Sequence, residues 1–115
     1  MRFTAIDPPR VFEVGHGGRT QMKDCGRLEL QPDEQVTFVT ESGAEYDVAR
    51  KSWGYYATPS LNGRLRAHGF KTALVRSSVS GGYFVLLVEL LRVREFQAYV
   101  GTENLSLIEW LDERS

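Results

Sequence analysis

From Val48 to Val88 the chain carries neither aspartate nor glutamate. Those 41 residues hold six bases, Arg50, Lys51, Arg64, Arg66, Lys71 and Arg76, in a protein whose net charge is −1. Other scarcities exclude whole classes of chemistry. A lone cysteine, Cys25, permits no internal disulfide and predicts a reducing, cytoplasmic setting. With only His16 and His68 beside it, and no C-x-x-C or H-x-H spacing, no metal site is expected. The longest apolar run, Tyr83 to Leu91, is nine residues and contains Glu89, against about 20 for a membrane helix. The start, MRFTAIDPPRVFEV, has two prolines and no apolar h-region, so no secretory leader and no membrane partner are expected.

What is present describes an ordinary folded protein. The 115 residues are 42% hydrophobic and 25% charged, which predicts a single globular α+β domain over 1–115. Its charge is blocked rather than mixed. Residues 1–47 carry nine acids and five bases, and residues 89–115 carry six acids and three bases. The basic middle lies between acidic flanks.

Period-two alternation dominates the first half. Arg10–Val14 reads as a strand, followed by a glycine-rich loop, GHGGRTQMKDCG. Arg27–Gln31, Gln35–Thr40 and Ala44–Lys51 then read as a three-stranded antiparallel meander, with turns at Pro32-Asp33 and Glu41–Gly43. Trp53–Ala57 is a further strand. Phe70–Arg76 and Gly82–Leu90 read as central strands covered on both faces, joined by the hairpin loop SSVSGG. The fold class expected is therefore mainly antiparallel sheet of about five to seven short strands. A short helix is placed near 58–68 and a C-terminal helix near 92–100, ending at Gly101. The tail 104–112 alternates weakly, as a strand.

The helix near 58–68 rests on capping chemistry. Thr58 suits an N-cap and Pro59 the first helical position. Leu61, Leu65 and His68 share one face. Gly69 suits the left-handed residue past the end, with Phe70 beyond it to touch Leu65. The competing reading is an Asn62-Gly63 hairpin turn.

A helix start at Thr58–Leu61 would turn free amides toward an anion. Thr58 and Ser60 would add hydroxyls, Arg64 a cation one turn on, and Arg50, Lys51 and Lys71 further charge. Trp53 and Tyr55 would supply a stacking floor for a nucleobase, a sugar ring or nucleic acid. The expected function is a small binding or accessory domain for an anionic partner: a nucleotide, a sugar phosphate or a nucleic acid. Against it stands the reading that the rings fill a core and the basic stems cover apolar surface. Acidic Asp24, Glu45 or Asp47 would then neutralise the segment.

Two further functions follow from other features. Acidic ends and a basic middle are self-complementary, which suits an assembly subunit forming a homo-oligomer. Cys25 with a histidine, oriented by Asp24 or Asp47, would make a small cysteine-dependent enzyme. The glycine loop matches neither a Walker sequence nor a dinucleotide fingerprint, and no cofactor is expected. No residue is assigned a catalytic role.

Overall fold

A computed structural model of the chain describes residues 1–18 and 20–115, with His16 described by its backbone alone. The fold is α+β, and among the described residues eight strands form three antiparallel sheets.

The first sheet is a two-stranded ribbon of β1 (Arg2–Val14) and β2 (Thr20–Glu29). Its ladder runs from Arg2↔Glu29 to Ala5↔Gly26 and resumes at Arg10↔Asp24. Residues 6–9 bulge out of register there, so Pro8 and Pro9 interrupt no ladder bond. The expected twelve-residue glycine loop is corrected: Thr20–Gly26 is strand, because β1 lies beside it to pair with. The expected meander also shifts by one strand. Arg27–Glu29 pairs with β1, and the meander is β3 (Gln35–Val39), β4 (Glu45–Lys51) and β5 (Gly54–Ala57).

The helix expected near 58–68 shrinks to one turn, α1 (Arg64–Ala67). Its far end is as the sequence predicts: His68 caps it, Gly69 has φ 101°, and Phe70 shares a core cluster with Leu65. Its near end is not. The Thr58 amide donates to the Asp47 carbonyl at 3.1 Å, which prolongs the pairing of β5 with β4 and keeps Thr58 out of a cap. Gly63 precedes the first helical residue instead, at the turn that Asn62-Gly63 favours.

The third sheet runs β7 (Tyr83–Glu89), β6 (Phe70–Ser77), β8 (Leu105–Trp110). Only β6 is central, with Thr72, Ala73 and Val75 fully buried. β7 is an edge strand that exposes Tyr83, Phe84 and Val85, which corrects its expected central place. Between β7 and β8, a 3-10 turn at Leu90–Arg92 leads into α2 (Val93–Thr102). This helix passes Gly101 because the Glu103 amide still reaches the Tyr99 carbonyl at 2.9 Å. Asn104, at φ 54°, takes the left-handed position instead.

Two small cores hold these parts. Ala44, Leu65 and Phe70, with Tyr46 and Leu87, join α1 to the second and third sheets. Ala73, Val75 and Val88 carry α2 through Val93 and Phe96, and Phe96 lies 5.5 Å from the ring of Trp110. The Glu89 carboxylate accepts from Thr40 at 2.8 Å and from Ser42, tying the second sheet to the third. The whole is open in shape. Its radius of gyration is 15.7 Å, where about 13 Å is usual for this length.

Candidate functional site

The basic window resolves into separate neighbourhoods once its neighbours are seen. Arg64 lies 3.4 Å from the buried carboxylate of Asp47 and 3.3 Å from the Thr58 hydroxyl. Ser60 Oγ accepts the Arg64 amide at 3.3 Å, so the hydroxyls expected to face a ligand serve the turn. A one-turn helix starting at Arg64 also has no aligned dipole to offer at Thr58–Leu61. The amide of Leu65 is taken by the Ser60 carbonyl at 3.1 Å.

Lys71 is remote from that turn in its bonding. Its ammonium donates to Glu113 at 2.6 Å and Asp112 at 3.1 Å, and stands 4.6 Å over the Trp110 ring. The Glu113 hydrogen bond raises the Lys71 pKa above its ordinary value, with burial opposing and Asp112 assisting. Asp112 is 3% exposed. Burial pushes its carboxyl upward, but the Thr72 amide at 3.0 Å and Lys71 outweigh this and leave the pKa below the ordinary range. Arg66 adds a second cation at 3.6 Å from Asp112. Acids from outside the window thus neutralise four of its six bases, since Lys51 also pairs with Asp33 at 2.5 Å.

Arg50 and Arg76 remain without an ion pair among the described residues. Arg50 stands opposite Tyr55 in the β4–β5 ladder, its guanidinium carbon 5.8 Å from the ring centre. Trp53, 71% exposed, precedes β5 beside them. Of the expected residues, the structure therefore brings together Arg50, Lys51, Trp53 and Tyr55 at one end of the second sheet. It groups Thr58, Ser60 and Arg64 around Asp47, and places Lys71 in the third sheet. Arg76 bonds the Gly81 carbonyl at 3.3 Å and lies 5.4 Å from the Tyr83 ring centre.

Cys25 is exposed on the ribbon, its thiol 3.6 Å from the Lys23 carbonyl. His68 lies 3.9 Å from Asp47. The side chain of His16, the other candidate imidazole, lies outside the described residues. Among those residues no cluster of three or more metal-ligating side chains occurs, and no helix is long and apolar enough to cross a membrane.

Sequence reasoning missed two surfaces. One is a largely apolar groove of about 480 Å³, where Phe84, Leu86, Leu105 and Tyr99 meet Gly15 and Gly17 of the ribbon tip. The other is the free edge of β7. Its uncharged run was visible in the sequence, but such a run reads equally as a covered strand. No protein-family model, curated protein or solved structure matches the chain.

Proposed function

We propose that this chain is an assembly subunit of the cytoplasm that completes its core by associating with further copies of itself. The observation that carries this reading is surface area. The chain exposes 8152 Å². A compact monomer of its mass, 13.0 kDa, exposes about 6,300 Å². The excess of about 1,800 Å² exceeds the roughly 800 Å² that one partner contributes to a standard interface. Much of it is apolar: Phe3, Val11 and Met22 on the ribbon, Phe38 and Val39 on β3, Tyr83 and Val85 on β7. A two-stranded ribbon also has little stability without packing against something else. Closed homo-oligomers are the commonest solution to such a surface. Sedimentation velocity at micromolar protein tests the reading: a dimer or larger closed species is expected. A folded monomer up to about 100 μM would overturn it.

A second reading is favoured by one specific feature, the exposed Trp53 and Tyr55 beside the unpaired Arg50. These groups suit stacking with a nucleobase or sugar while a phosphate meets Arg50. Retention on heparin, or oligonucleotide binding, that weakens with salt and with Arg50→Ala would support it. Indifference to both would remove it.

A further inference from the structure

We infer that two copies of this chain pair through the free edge of β7, antiparallel across a two-fold axis at Val85, to form one continuous six-stranded sheet. The inference rests on the assembly reading and specifies its interface.

An edge strand is normally protected by charge, proline, a bulge or brevity. β7 has none of these before Glu89. Its seven pairs with β6, from Phe70↔Glu89 to Arg76↔Tyr83, run without a register shift. From Tyr83 to Val88 it is wholly uncharged. The other edges are guarded. β8 carries Glu109 and a register shift opposite Leu74/Val75. β5 is four residues long. The ribbon carries charges of both signs, two prolines and its bulge. β3 is uncharged, but antiparallel self-pairing about its centre would set Asp33 against the second copy's Glu41.

Exposure selects the register. Tyr83 and Val85 are each 61% exposed, whereas Val88 is buried and Glu89 is tied to Thr40 and Ser42. Centring on Val85 puts an open residue at the middle of the ladder and Glu89 at its end, with Val85 on Val85 and Tyr83 opposite the second copy's Leu87. The same register sets Gly81 opposite the second copy's Glu89. Arg76 bonds the Gly81 carbonyl and leans over Tyr83, which puts its guanidinium at the end of the ladder where the second copy's Glu89 arrives, a carboxylate already held by Thr40, Ser42 and Arg92 of its own chain. Edge pairing satisfies backbone groups while the flanking side chains close over one another. The surplus of about 1,800 Å² over the whole chain exceeds the roughly 800 Å² that one partner contributes to a standard interface, and Tyr83, Phe84 and Val85 are the β7 part of it.

The test uses the full chain in a Cys25→Ser background. Sedimentation should give a dimer, and Val85→Lys, at a site open to solvent in the single copy, should convert it to a folded monomer. Val85→Cys, which keeps the surface apolar, should cross-link to a dimer under mild oxidation, while Val79→Cys, also exposed, should not. A dimer that survives Val85→Lys without Val85→Cys cross-linking would overturn the β7 interface and leave the assembly reading standing. A native monomer would overturn both.

Discussion

Asp112 shows most clearly how one residue changes meaning between sequence and fold. In the sequence it is one of the six acids of residues 89–115. In the structure it is nearly buried, accepting from the Thr72 amide and Lys71 with Arg66 nearby. Removing it would leave the buried Thr72 amide without its partner and Lys71 with Glu113 alone, so Asp112→Ala should cost on the order of 3 kcal/mol in chemical denaturation. Asp112→Asn, which can still accept from Thr72, should cost less. The pH dependence follows in sign. The folded pKa values of Asp112 and Glu89 lie below their ordinary ones. Their contribution is therefore complete above the ordinary carboxylate range, about pH 4, and is lost as pH falls through the folded values. Lys71 has the opposite sense, since its pKa is raised. Its contribution is present below its ordinary value and is lost as alkaline pH rises through the folded value. Denaturation midpoints across pH 2–11 check both limbs, and a flat acid limb would contradict the first.

At the scale of elements, α1 is where expectation and structure part within ten residues. The end signals Gly69 and Phe70 were legible because a left-handed glycine and its apolar contact are local chemistry. The start was not, because Thr58 had a competing use across the sheet at Asp47. Leu65 is the fully buried anchor of this turn, and Leu65→Ala should cost about 3 kcal/mol with the turn's exchange protection lost first. Gly69 has φ 101° and an added Cβ would lie 3.1 Å from Ala44. Gly69→Ala should therefore destabilise where the same change at Gly101, with open space around it, should not. Thermal melts of the pair decide this. In the ribbon, a Cβ at Gly26 would meet the Phe3 ring at 2.6 Å and the Thr4 carbonyl at 2.7 Å. Gly26→Ala should part the strands there, seen as faster proteolysis within β1 and β2.

For the whole molecule, the relevant quantities are area and charge. The open shape and surplus surface argue for association before any ligand is considered. The neutralised window also argues against one broad cationic face. Salt should therefore affect self-association weakly, because the proposed contact is chiefly apolar and backbone pairing. Sedimentation at about 0.05 and 0.5 M salt checks this: a dimer lost at high salt would instead favour charge-driven assembly.

Most strands, the C-terminal helix and the α+β class were determined by the sequence itself, since alternation, helix periodicity and turn residues act over a few neighbours. The acid-free window was equally plain. Its meaning was decided only by tertiary structure, which brought Asp33, Asp47, Asp112 and Glu113 against Lys51, Arg64, Arg66 and Lys71. Which uncharged strand would lie at an edge was decided there too. Both depend on contacts between residues distant along the chain, and local patterning carries no record of those.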